Sequence, residues 1–144
     1  MTRNFHSEDD EPIKKTDLGF NWTSFTKSPY LQNQVWEDDI TPHYNQDFLV
    51  QSWGRPYSTS ICNGRDNKTS NIETMSYQGY GWRDTQDHAK WGVSAKGEVC
   101  CIGDLNRMDS QEYRGGTIAC IEDAGLCKAF KSLIKTDDCQ LSNQ

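Results

Sequence analysis

The chain has 144 residues, enough for one domain, and is 34% hydrophobic and 25% charged, with a formal net charge of −6. No apolar run approaches the length of a membrane span, which excludes a helical integral membrane protein. The acidic balance likewise excludes a nucleic-acid-coating protein held by bulk positive charge. Residues 1–50 carry four Lys/Arg against nine Asp/Glu, whereas the remaining 94 carry eleven against twelve. The acidic excess is thus N-terminal, and the body of the chain is nearly neutral.

Residues 1–17, with the run Glu8, Asp9, Asp10 and Glu11, read as a solvated, mobile lead-in containing His6. A single domain is expected from 18 to 144. Ser28-Pro29 has the form of an N-cap with proline at the first helical position. It predicts a helix over 29–40, with Leu31, Val35, Trp36 and Ile40 on one side and Pro42 as its stop. His43 then falls in a loop. The run Asp47–Trp53, ending at Gly54, has the profile of a buried strand, with Trp53 read as core. Residues 56–70 are rich in Ser, Asn, Gly and charge and predict a surface loop holding Cys62. A second strand is expected over 72–77, and Gln78-Gly79-Tyr80-Gly81 is turn-like. His88–Ser94, the turn Ala95-Lys96-Gly97 and Glu98–Gly103 predict a β-hairpin. His88 and Lys90 would share one face of its first strand, with Trp91 and Val93 on the other. Gly115–Ile121 is a further strand. Asp123–Lys135 is the clearest helix, with Asp123 as its cap and Leu126, Ala129, Phe130, Leu133 and Ile134 at helical spacing. The sum is a mixed α/β or α+β domain.

Six cysteines stand at 62, 100, 101, 120, 127 and 139, with no CxxC pair and no Cys/His spacing of a structural zinc site. An even count without metal spacing implies three disulfides and an oxidising compartment. Two sequons, Asn21-Trp22-Thr23 and Asn67-Lys68-Thr69, point the same way as candidate glycosylation sites. The N-terminal residues do not read as a signal peptide, so the sequence is expected to be a fragment of an exported protein. Six cysteines allow 15 pairings. Adjacent residues of a strand point to opposite faces, so Cys100 and Cys101 should have different partners.

The chemistry-bearing pattern is His88-x-Lys90. An ammonium neutralises phosphoryl oxygens, and an imidazole attacks phosphorus or protonates a leaving oxygen. The following turn, Gly103-Asp104-Leu105-Asn106-Arg107, adds an amide and a guanidinium suited to the same group. Against this stands a plainer reading, in which His88 is a satisfied strand histidine and Lys90 a solvated lysine. The spacing alone favours that plainer reading. Arg107 and Arg114 are candidate phosphate contacts on equal terms with ordinary surface residues.

H-x-K followed by G-x-x-N resembles the phospholipase D superfamily motif, with Ala95 where that motif carries an aspartate. The stretch before the glycine is one residue longer than usual. Asp87-His88-Ala89-Lys90-Trp91, Cys101–Arg107 and Arg114-Gly115-Gly116-Thr117 more closely resemble the deoxyribonuclease II family, a branch lacking that aspartate. Trp22–Ser28, Asp47–Arg55 and Ala129-Phe130-Lys131 extend the resemblance in order from about residue 18 to the end.

The resemblance covers the C-terminal half of such a protein and implies a phospholipase D-like half, a mixed β-sheet flanked by helices. It further implies metal-independent hydrolysis of DNA at acid pH, with no cofactor, leaving 3′-phosphate and 5′-hydroxyl ends. Family members use two H-x-K motifs. Here His88 takes the place assigned to the general acid and Lys90 binds phosphate. Asn106 orients or contacts the same group, with Asp104, Arg107 and Arg114 in support. The implied partners are DNA and either the missing N-terminal half or a second copy of the chain completing the site; no membrane is involved. The implied location is secreted or lysosomal. The resemblance suggests the disulfides Cys62–Cys139 and Cys101–Cys120, leaving Cys100 with Cys127. The alternative is a catalytically silent, secreted family member acting as a binding protein.

Overall fold

The computed structural model describes residues 14–15, 19–53 and 56–144. Phe48, Leu49, Val50 and Gln51 form a strand in which every residue is buried, and such a strand needs cover on both faces. The described residues form one nine-stranded sheet. Its strands are β1 (Lys14–Lys15), β2 (Asn21–Lys27), β3 (Phe48–Gln51), β4 (Thr69–Tyr77), β5 (Tyr80–Arg83), β6 (Trp91–Ser94), β7 (Val99–Gly103), β8 (Gly116–Glu122) and β9 (Ile134–Asp137). They lie in the order β1-β2-β8-β7-β6-β3-β4-β5, with β9 also paired to β4. The β3–β4 pair is parallel and the other pairs are antiparallel, so the sheet is mixed.

Strand alternation divides the core. Phe48 and Val50 join Phe25, Val99, Cys101, Ile118 and Cys120 on one face, beneath Val35, Trp36 and Ile40. Leu49 faces the other way with Val93, Cys100, Ile72, Met75 and Leu141, against Cys127 of the helix α2. The first cover is a π-helical segment, Val35–Ile40, running directly into a single turn, α1 (Thr41–Tyr44); the second is α2 (Ala124–Ser132). Gly92 of β6 lies so close under Trp36 that a Cβ there would stand 2.6 Å from the indole ring. No helix among the described residues is long and apolar enough to cross a membrane.

The fold class and most strands match expectation, and three boundaries differ for physical reasons. The helix expected over 29–40 begins at Val35 instead. Ser28 makes a local turn, accepting from Tyr30 N on its hydroxyl at 3.3 Å and from Leu31 N on its carbonyl at 3.1 Å. Pro42 does not stop the helix; it sits in the first turn of α1, where it has no donor to lose, and His43 is therefore helical. The C-terminal helix is capped by Asp123 Oδ1, which accepts from Leu126 N at 2.6 Å, but it ends at Ser132. Ile134 turns into β9 against β4, and Leu126 is 46% exposed rather than inward. The turn at Gln78–Gly79, with φ of 49° and 85°, leads at once into β5. Within the N-terminal 17 residues, Lys14–Lys15 pair with Trp22 and Asn21 and so are sheet, whereas the rest, His6 included, lies outside the described residues.

Cys101 and Cys120 face each other across β7 and β8 and are joined. Cys100, on the opposite face, is joined to Cys127 of α2, and Cys62 to Cys139. By the chain-entropy argument the long Cys62–Cys139 loop contributes roughly 4 kcal/mol.

Asp137, at the end of β9, closes the C-terminus onto β4. It accepts from Ser70 Oγ at 2.6 Å and from the backbone N of Leu141 and Ser142 at 2.9 Å. Burial alone would raise its pKa, but the hydrogen bonds from Ser70, Ser142 and Leu141 outweigh it and hold the carboxyl below the ordinary aspartate value. A depressed folded pKa adds stability that is complete above the unfolded value of about 3.9 and is lost as pH falls through the folded one. Asp137→Asn is therefore expected to lower the Tm at pH 5–7 and to narrow the gap from the parent protein near pH 3, as read by calorimetry.

Candidate active site

β3 and β7 leave the sheet, and β6 and β8 enter it, at one common end. Gln51 pairs with Trp91 and Trp91 with Ile102, which sets the ends of β3, β6 and β7 side by side. The H-x-K motif lies just ahead of β6, not within the strand as expected. Asp87 is the reason. Its Oδ1 accepts from Ala89 N at 2.9 Å, a local turn that withdraws this segment from strand pairing. Its Oδ2 accepts from Trp82 Nε1 at 3.1 Å, and its carbonyl accepts from the buried Gln51 Nε2 at 3.3 Å. Three neighbours thus hold the residue before His88.

His88 is exposed. Its imidazole lies over the indole of Trp53, with centroids 4.5 Å apart and planes 22° from parallel. Lys90 Nζ donates to the His88 carbonyl at 2.7 Å, bringing the ammonium back over the motif. Lys90 O accepts from Gly103 N at 3.0 Å, and this bond joins H-x-K to G-x-x-N. Gly103 has to be glycine: a Cβ would stand 2.6 Å from Ile118 Cγ1 and 2.7 Å from Thr117 O. Asn106, 9% exposed, accepts on Oδ1 from Trp53 N at 3.0 Å. Trp53 therefore touches both halves of the pattern, His88 through its ring and Asn106 through its backbone.

That arrangement revises the reading of Trp53, which is 42% exposed at the sheet end and is not core. The apolar run before it gave no sign of this, since exposure there depends on where β3 stops. Arg107 is also placed differently from a phosphate contact. It is wholly buried. It donates to Glu37 Oε2 at 2.6 Å, to the carbonyls of Ser58 and Thr59 at 2.8 and 2.7 Å, and to Asn71 Oδ1 at 2.8 Å. Asp104 is exposed but occupied, its Oδ1 accepting from Thr117 N at 2.8 Å to seat the start of β8. Arg114 is exposed at the same sheet end, just ahead of β8. His43 is exposed on α1, edge-on to Phe25, at 5.2 Å.

A buried lysine and a partly buried glutamate brace the segment after β7. Lys27 ends β2 and donates to the carbonyls of Gln111 and Glu112 at 2.6 and 2.7 Å. Burial lowers its pKa, against the opposing pull of Glu112 and Asp39. Burial likewise raises the pKa of Glu37, only partly offset by Arg107. A cleft of about 650 Å3 is lined by none of Trp53, His88, Lys90 and Asn106 but by Tyr57, Glu73, Arg83, Asp84 and Asp138 among others, and its three carboxylates against one guanidinium do not suit a phosphate. Among the described residues, no group of three or more His, Cys, Asp or Glu side chains is placed to hold a metal ion.

Arg107→Ala would strip the partly buried Glu37 and three further acceptors of their buried donor, a loss expected to cost about 3–5 kcal/mol in urea unfolding. A phosphate-contact role would instead weaken DNA binding and its salt dependence without unfolding the chain.

The putative deoxyribonuclease-2 of Burkholderia thailandensis is 32% identical over 128 residues, covering 85% of this chain and 36% of that protein. Plancitoxin-1 of Acanthaster planci is 32% identical over 118 residues, 78% of this chain and 32% of its own. Deoxyribonuclease-2-alpha of Sus scrofa is 29% identical over 131 residues, 88% of this chain and 36% of its own. The chain thus spans about a third of the length of these relatives. The deoxyribonuclease II family model matches residues 3–139, and the chain belongs to the deoxyribonuclease II family.

Proposed function

We propose that this domain carries one half of a two-histidine phosphodiesterase site that hydrolyses DNA at acid pH without a metal ion. The observation that carries the reading is the union of an exposed imidazole, an ammonium and a carboxamide at one sheet end, through Trp53 and the Lys90–Gly103 bond. The resemblance and the names of the relatives support DNA as the substrate.

In the reaction, a histidine from the other half attacks phosphorus and forms a phosphohistidine. His88 protonates the departing 5′-oxygen, then takes a proton from the water that cleaves the N–P bond. The ends are 3′-phosphate and 5′-hydroxyl. Lys90 has three donors, one of them on the His88 carbonyl, so two remain for phosphoryl oxygens. Asn106 has committed its oxygen to Trp53 N, which leaves its NH2 group as the end that meets phosphate. Arg114 is left to contact the flanking backbone, and Asp104 and Arg107 act structurally. An acid that must donate a proton is better populated below an ordinary histidine pKa of about 6.5, in keeping with acidic operation.

The second H-x-K comes from an N-terminal half or from another copy of this chain, since a two-fold interface returns the same residues twice. Three disulfides and the sequons at Asn21 and Asn67 fit a secreted or lysosomal setting. A silent binding role is the second reading, favoured by the single H-x-K in this sequence.

Plasmid cleavage near pH 5 in EDTA tests the proposal. His88→Ala is expected to lower the rate by about 10²–10⁴, and the parent products should accept a 5′ label from a kinase without prior phosphatase treatment. Cleavage that requires a metal ion would overturn it. Absence of cleavage by a folded monomer, established by light scattering, would favour the silent reading.

A further inference from the structure

We infer that Trp53 is a positioning residue for His88, setting the plane and edge of the imidazole that meets a phosphate; this rests on the proposed phosphodiesterase reading. The ring is exposed, so little else fixes it. Asp87 anchors the backbone on one side, through Ala89 N, Trp82 Nε1 and Gln51 Nε2, and none of these bonds reaches the imidazole. The imidazole is then free about its two side-chain torsions unless something rests on its face. Trp53 supplies that rest, in near-parallel contact at 4.5 Å.

The backbone that carries the indole is itself held. Ser52, the preceding residue, accepts on its hydroxyl from Arg107 N at 3.1 Å, and Trp53 N donates to Asn106 at 3.0 Å. The position from which the indole projects is therefore set by the buried Arg107 turn. A stack leaves both ring nitrogens on the rim, one available to substrate, and also suits a cationic imidazole, since an indole face attracts positive charge. The same residue thus meets Asn106 through its backbone and His88 through its ring.

The test uses the full chain and inorganic phosphate. The three histidines are few enough that His88→Ala assigns the His88 ring signals by NMR. In the parent chain those signals should be displaced upfield by the indole ring current. The displacement should vanish in Trp53→Leu and persist in Trp53→Phe. A misoriented ring forfeits a charge-assisted hydrogen bond, so phosphate affinity read at His88 should fall about tenfold in Trp53→Leu. Trp53→Phe should stay within about twofold of the parent. Unchanged phosphate affinity in Trp53→Leu, or an unfolded Trp53→Leu by methyl dispersion, would overturn the inference. If phosphate fails to perturb His88 even in the parent while the ring-current pattern holds, the phosphodiesterase reading is what fails.

Discussion

The guanidinium of Arg107 is the constraint around which the site end of the sheet is arranged. It cannot shed its proton inside a protein, so burying it obliges the chain to bring acceptors from every side. Glu37 comes from the π-helical segment, the carbonyls of Ser58 and Thr59 from the loop after β3, and Asn71 from β4. Arg107 N meets Ser52 as β3 ends. Trp53 follows Ser52 and Asn106 precedes Arg107, so the residue stacked on His88 and the amide bonded to it are direct chain neighbours of this buried clamp. The charge acts on the surface through its neighbours without ever reaching it.

The rest of the site follows from where strands end. β3 and β7 stop, and β6 and β8 start, at one end of the sheet, and the segments there carry His88, Lys90, Asn106 and Arg114. Backbone groups freed from pairing are taken up locally: Ala89 N by Asp87, Thr117 N by Asp104, and Gly103 N by Lys90 O. The first and last of these bonds also hold the backbone at or beside His88 and Lys90. Positioning and hydrogen-bond satisfaction are here the same requirement.

How much of this was legible depended on whether the signal was local. The hairpin of β6 and β7 could be read because Trp91 and Val93, then Val99 and Cys101, recur at a spacing of two on either side of a glycine-bearing turn, and α2 because Asp123 precedes a helical run. The resemblance located His88 and Lys90. The helical segment was displaced because Ser28-Pro29 imitates a cap, whereas the true start is set by burial of Val35 and Trp36 under the sheet. β9 was hidden because Ile134 continues the helical spacing and reveals itself only by pairing with distant β4. Arg107 and Trp53 traded the roles expected of them, charge inward and aromatic outward, and only tertiary contacts decide such an exchange.

The three disulfides have a further consequence for the life of the chain. Cys62 is tied to Cys139, and nested within that loop Cys100 is tied to Cys127 and Cys101 to Cys120. Any single backbone cut between Cys62 and Cys139 leaves its two pieces covalently attached. A cut in the segment between Cys101 and Cys120, which carries Asn106 and Arg114, is bridged by all three links at once. The surface loops at the working end of the sheet can thus be nicked by a protease without the fragments parting, so long as the thiols remain oxidised.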